Sequence, residues 1–180
     1  GAFGSAVSFA TGDKPKFTAV ADLDGDGHLD LATANQTAGT ASILLGTGTG
    51  SFGAKTDYPT CTGAHETATG DVDEDGKLDL YVVNDFGEKA LYMRRGDRFV
   101  DEASERGVLD AGNGMGVSFG DFNNDGRLDL HVTNMSSTAG NRILGRLFPG
   151  ATPDSNVLKK LAAGNALYEN TGGGRFREVT

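Results

Sequence analysis

Ala21–Asn35, ADLDGDGHLDLATAN, places Asp22, Asp24, Asp26 and Asp30 within nine residues. Carboxylates that close repel one another. At about 5 Å each pair costs roughly 1–3 kcal/mol for dielectrics between water and a protein surface. Summed over the pairs, the cost rivals the whole stability of a small domain. The crowding recurs in GDVDEDGKLDLYVVN (Gly70–Asn84) and GDFNNDGRLDLHVTN (Gly120–Asn134). No lysine or arginine stands among the acidic positions, so a compact loop calls for a cation, and oxygen donors select a hard one.

Calcium suits the pattern best. It accepts six to eight oxygens in flexible geometry, whereas magnesium demands a tight octahedron and keeps its waters. In D-x-D-x-D-G-x-x-D, positions 1, 3 and 5 aim side chains inward, and Gly at position 6 permits a sharp turn. Position 7 offers its carbonyl, which lets His28, Lys77 and Arg127 all stand there. Asp at position 9 closes the cage from the next strand. The predicted ligands are Asp22, Asp24, Asp26, His28 and Asp30; Asp71, Asp73, Asp75, Lys77 and Asp79; and Asp121, Asn123, Asp125, Arg127 and Asp129. Asn123 keeps an oxygen but loses a charge, which predicts a weaker third site. An EF-hand begins similarly but needs a bidentate Glu at position 12. Here position 12 is Thr33, Val82 or Val132, inside alternating β-branched segments that predict strands.

The elements that position these loops also repeat. The first aspartates, Asp22, Asp71 and Asp121, are spaced by 49 and 50 residues. Gly27, Gly76 and Gly126, the Leu-Asp-Leu triplets, and Asn35, Asn84 and Asn134 keep the same offsets. A glycine shortly before Phe3, Phe52, Phe99 and Phe176 is a second marker. Alternation predicts four short strands per unit: FTAVAD, LDLATAN, ASILLG and FGAKTDY; ETATGDV, LDLYVVN, ALYMRR and RFVDEA; GVSFGDF, LDLHVTN, ALYENT and RFREVT. A four-stranded unit of this period is a β-propeller blade.

The chain thus reads as all-β, a single propeller region over 1–180 with about three blades. The blades are 13–60, 61–108 and 109–180, and 1–12 supplies one extra N-terminal outer strand (Phe3–Gly12). ALY begins six residues after Asn84 but thirty-two after Asn134, which puts an insertion at about 135–164. Within it SNVLKKLAAG predicts a short helix. Three blades are fewer than the four to eight that usually close a ring. Further blades from a parent chain, or self-association through the extra strand, are therefore expected.

Composition excludes several classes. The net charge is −9, and without the eleven repeat aspartates it becomes +2, so no basic surface for nucleic acid is expected. No apolar run approaches the ~20 residues that span a bilayer, so no membrane insertion is expected. Nothing at the start reads as a signal peptide, which fits a cytosolic chain or a secreted one whose leader is gone. Glycine, 28 of 180 residues, predicts many tight turns.

Cys61 is the only cysteine; space-filling outweighs a reactive thiol beside His65. His28, His65 and His131 lack zinc spacing. GTGTGSFG (Gly46–Gly53) reads as a hairpin turn rather than a phosphate cradle, because no helix pattern follows. Asn35 and Asn134 head N-x-S/T sequons, but their fixed offset also suits a structural hydrogen-bonding role.

The three D-x-D/N-x-D-G-x-x-D-L units resemble the FG-GAP (VCBS) repeats of β-propellers, as in the integrin α head and many secreted bacterial proteins. The third unit, with NALYENTGGGRF, is most similar to the subgroup found with ASPIC/UnbV domains. The resemblance implies Ca2+ in the hairpin between a blade's first two strands, held by the residues named above. It implies a non-catalytic, secreted or cell-surface module for adhesion, glycan or protein recognition, or self-assembly. The alternative is a supporting part of a secreted polysaccharide-degrading enzyme. The aspartates could act as acid and base there, but each is better used as a ligand, so no enzyme activity is expected.

Overall fold

The computed structural model describes residues 5–85, 87–135 and 164–179. These form three four-stranded antiparallel sheets. The first holds β1 (Pro15–Ala21), β2 (Asp30–Asn35), β3 (Thr40–Leu44) and β4 (Thr56–Pro59). The second holds β5 (Ala64–Gly70), β6 (Asp79–Asn84), β7 (Ala90–Arg95) and β8 (Arg98–Asp101). After a four-residue helix α1 (Ala103–Arg106), the third holds β9 (Gly114–Gly120), β10 (Asp129–Asn134), β11 (Ala166–Asn170) and β12 (Phe176–Glu178). Each sheet is a meander in chain order, and β5 lies between β1 and β9. The sheets therefore fan out from neighbouring first strands, as propeller blades do.

Side-chain alternation decides which residues meet between blades. Ala32, Ala34, Ala41 and Ile43 of the first blade pack on Leu80, Val82, Ala90, Tyr92 and Phe99 of the second. On the other face of the second blade, Tyr81, Val83, Leu91 and Met93 pack on Leu130, Val132, Ala166, Tyr168 and Phe176 of the third. β6 is consequently buried along its whole length, which accounts for the unbroken Leu-Tyr-Val-Val run.

The loops contribute to the same layers. Loop position 2 packs toward the following blade, where Leu23 and Val72 are buried. Leu78, at position 8, packs toward the preceding blade. Their equivalents at the two ends, Phe122 and Leu29, are 47% and 63% exposed, because no described blade covers them.

Several features depart from the expected layout. Residues 5–12, expected as an outer strand, form none: a fourth strand needs the third strand of its own blade as a pairing partner. This segment is held instead by an edge-to-face contact of Phe9 on Phe52 and by the Gly12 N–H on Asn35 Oδ1 at 3.1 Å. Phe52 precedes β4 rather than lying in it, since Gly46–Phe52 closes as a small hairpin with Thr47 N–H on Ser51 O at 3.0 Å. The helix α1 was not anticipated; Asp101 Oδ1 accepts the Ala103 N–H at 3.1 Å, and Gly107 ends the turn at φ 80°. The insertion at about 135–164, with its expected helix, lies almost entirely outside the described residues.

Asn35, Asn84 and Asn134 share one position, opposite an irregularity in the first strand of each blade. All three are buried. Asn35 Nδ2 donates to Thr40 Oγ1 and Ser42 Oγ at 3.1 and 2.8 Å, and Asn134 Nδ2 donates to Asp110 at 2.9 Å. Their role in this fold is structural, and the amides are not presented for glycosylation. Among the described residues no helix is long and apolar enough to cross a membrane.

Candidate metal centre

Each acidic loop joins the first and second strands of its blade, and all three close in the same way. Position 6 is left-handed in every copy: Gly27 at φ 87°, Gly76 at 82° and Gly126 at 89°. Position 4 is left-handed as well, with Gly25 at φ 80°, Glu74 at 61° and Asn124 at 59°. Side chains other than glycine are strained there. Glu74→Gly is therefore expected to raise stability by up to about 1 kcal/mol, after the entropy glycine adds to the unfolded chain. Urea unfolding midpoints measure this, and a lower midpoint refutes the strain.

The turn is closed by carboxylates. The position-1 side chains accept the N–H of position 5 at 3.1 Å in all three loops, and that of position 6 at 2.9, 2.8 and 2.9 Å. The position-5 side chains, Asp26, Asp75 and Asp125, accept the N–H of His28, Lys77 and Arg127 at 2.8, 3.0 and 3.0 Å.

Position 9 carries a second function that the spacing did not disclose. Asp30, Asp79 and Asp129 are buried. One oxygen of each accepts the N–H of Leu23, Val72 or Phe122 at 2.7, 3.1 and 3.2 Å. The other accepts the N–H of Gly46, Arg94 or Asn170, all within two residues of the end of the third strand, at 2.7, 2.8 and 2.7 Å. This aspartate ties its loop to its sheet before any ion is considered.

Carboxylate oxygens of Asp22, Asp24 and Asp30 lie within 4.8 Å of one another, as do those of Asp71, Asp73 and Asp79. Asp26 and Asp75 stand outside these triads. The third loop repeats the hydrogen bonds that positions 1, 5 and 9 make in the first two, and Asn123 Oδ1 accepts the Asp125 N–H at 3.0 Å as Asp24 accepts that of Asp26 in the first. Burial, with Asp73 and Asp75 nearby, outweighs the N–H donors from Arg94 and Val72 and pushes the Asp79 carboxyl up to about 6. Oδ1 of Asp73 is buried without a hydrogen-bond partner. An all-oxygen donor set, crowded like charge and an orphaned carboxylate oxygen are what a hard divalent cation would satisfy, so these residues fit Ca2+.

Cations near the loops were missed by reading along the chain. Arg95 Nη1 from β7 reaches Asp73 Oδ2 at 3.2 Å, and Arg106 Nη2 from α1 approaches it at 3.6 Å. Glu102 holds both guanidiniums, at 2.8 Å to Arg95 and 2.9 Å to Arg106. Hydrogen bonds from Arg95, against the opposing effect of burial, hold the Glu102 carboxyl below its usual range. Lys77 pairs with Asp75 at 3.2 Å, and Arg127 pairs with Asp125. In both cases the position-7 side chain itself offsets charge. No spacing along the chain marks Arg95 or Arg106; only the sheet brings them in.

Clefts adjoin the loops. One of about 130 Å³ lies between the first two hairpins, with Asp22 and Asp24 on one side and Lys77 on the other. One of about 280 Å³ lies on the uncovered face of the third blade, lined by Ser118, Phe119, Phe122, His131 and Leu167 among others.

Repeated four-stranded blades with acidic hairpins define a repeat protein of the propeller class. An FG-GAP-like repeat profile matches residues 22–82 and again 71–132, and the chain belongs to that family. No curated protein matched. Among solved structures, the chain is similar to an Agrocybe aegerita lectin described as recognising non-reducing terminal N-acetylglucosamine. The similarity is 19% identity at a TM-score of 0.46 over 88% of this chain. The match takes in 36% of the lectin chain, so this chain spans about a third of that protein's length.

Proposed function

We propose that this chain is a calcium-binding propeller module that recognises a glycan or protein ligand outside the cell and performs no catalysis of its own. The observation that carries the calcium reading is the pair of carboxylate triads, Asp22/Asp24/Asp30 and Asp71/Asp73/Asp79, built on hairpins that share the hydrogen bonds of positions 1, 5 and 9. Asp121, Asn123 and Asp129 offer the corresponding oxygens in the third hairpin. The ion supplies positive charge that offsets carboxylate repulsion in the turns. Recognition rather than turnover is supported by the carboxylates themselves. Those at positions 1, 5 and 9 are engaged by backbone N–H groups that hold the turn, which leaves them poorly placed to exchange protons with a substrate. An extracellular setting is supported by chemistry: partly exposed loops of this kind suit the 10⁻⁴–10⁻³ M affinities of extracellular calcium modules.

Calorimetric titration of the full chain with calcium tests the metal reading. Three equivalents released by excess chelator are expected; no binding at millimolar calcium overturns it. A glycan array and a polysaccharide-hydrolysis assay test the second part. Product release by this chain alone would replace recognition with catalysis.

A further inference from the structure

We infer that the three hairpins are graded in their need for calcium: the first relies on the ion, while the other two carry their own counter-cations. This rests on the calcium reading above and deepens it. In the first loop Asp22, Asp24, Asp26 and Asp30 receive no ion pair from any described residue, and position 7 is His28 rather than lysine or arginine. In the second, Lys77 pairs with Asp75 at 3.2 Å, and Arg95 and Arg106 converge on Asp73 from β7 and α1. Glu102 cancels one of those two guanidiniums, leaving five acids, the four aspartates and the exposed Glu74, against a net two positive charges. In the third, Arg127 offsets one of three aspartates.

Arg106 and Arg95 both bind Oδ2 of Asp73, while Oδ1 stays buried and unpartnered. One oxygen is thus held by arginine and the other remains available to an ion. The guanidiniums replace part of the ion's charge and, by the same repulsion, weaken its binding. Arg106 also donates through Nη1 to Gly173 O in the third blade, so this counter-charge is anchored across a blade junction. Each extra positive charge about 6 Å from a divalent ion, in a water-like dielectric, is worth roughly tenfold in affinity.

Each loop has its own reporter, the position-6 glycine amide bonded to the position-1 aspartate. Amide resonances of Gly27, Gly76 and Gly126 are followed in the intact chain during a calcium titration. Gly27 is expected to respond first, with a midpoint at least about tenfold below those of Gly76 and Gly126. Arg106→Gln is expected to lower the Gly76 midpoint roughly tenfold and leave Gly27 unmoved. Arg95→Gln, which breaks no contact with the third blade, is expected to act in the same direction and keeps the test open should the first variant fold poorly. If Gly76 responds together with or before Gly27, or if its midpoint stays or rises in a folded variant, the grading is wrong. If no glycine responds at millimolar calcium, the calcium reading itself fails, and the grading with it.

Discussion

Asp30→Ala is expected to cost about 3 kcal/mol of stability even in calcium-free buffer. The carboxylate is buried and accepts two backbone N–H groups, Leu23 and Gly46, both at 2.7 Å. An alanine leaves both donors without partners, at roughly 1–3 kcal/mol each. For a chain of this size the loss corresponds to a melting temperature about 6–12 °C lower. Asp79→Ala should cost less. It removes the same kind of bonds to Val72 and Arg94, but it also relieves a carboxylate pushed up to about 6 by burial and by Asp73 and Asp75. Asp24→Asn supplies the contrast. Its side chain is exposed and serves the loop only through Asp26 N–H, so in chelator it should shift stability by less than about 0.5 kcal/mol. Thermal unfolding of the three variants in chelator measures the order. An Asp30→Ala protein as stable there as its parent would show that the residue acts only through an ion.

That double role of position 9 marks how far the sequence could be read. The repeat offsets located the three hairpins, the strands that follow them and the glycine that turns them, because these depend on residues within one loop. Ala90–Arg95 has the strand bounds that its alternation predicts. The partners of position 9 are another matter: Gly46 and Arg94 lie 16 and 15 residues away, but Asn170 lies 41 away across the insertion. They share no residue type, because only their backbone N–H is used. A residue pattern cannot signal a donor that every residue but proline possesses. Arg95 and Arg106 were hidden for a related reason. They reach Asp73 through the position of β7 and α1 in the blade, and their side chains have no counterpart at the same offset in the other two repeats. The left-handed position 4 was also obscured, since glutamate and asparagine occupy it in two copies. The outer strand expected at 1–12 is absent over 5–12 for a different reason. That expectation extended a marker, glycine before phenylalanine, to a segment for which no third strand stands ready as a partner among the described residues.

The largest single effect away from the loops is expected at Lys89, which sits with Asp110 at the junction of the second and third blades. Its ammonium has no solvent exposure, lies 2.9 Å from Asp110 Oδ2 and donates to Gly112 O at 2.8 Å. Asn134 Nδ2 and the Gly112 N–H complete the shell around the carboxylate, at 2.9 and 2.8 Å. Burial alone would raise the Asp110 carboxyl, but the Lys89 charge and these donors outweigh it and hold it below the usual range. Lys89→Met leaves the buried carboxylate unpaired and is expected to cost about 3–5 kcal/mol. Adding Asp110→Asn removes the orphaned charge and should restore part of that loss, so the double variant is more stable than the single one.

The pH dependence separates this charge effect from a packing defect. In the parent, Asp110 binds its proton less readily folded than unfolded. Its contribution is therefore complete above the ordinary carboxylate range and fades only as the pH falls through and below that range. In Lys89→Met the carboxyl is buried without its cation and is pushed up instead. The folded form then binds the proton more readily, and acidification from pH 7 toward 5 should stabilise this variant relative to the parent. Urea unfolding at both pH values provides the comparison. If the gap between variant and parent is the same at pH 5 and pH 7, the loss comes from packing alone, and Lys89 is not what keeps the Asp110 charge in the junction.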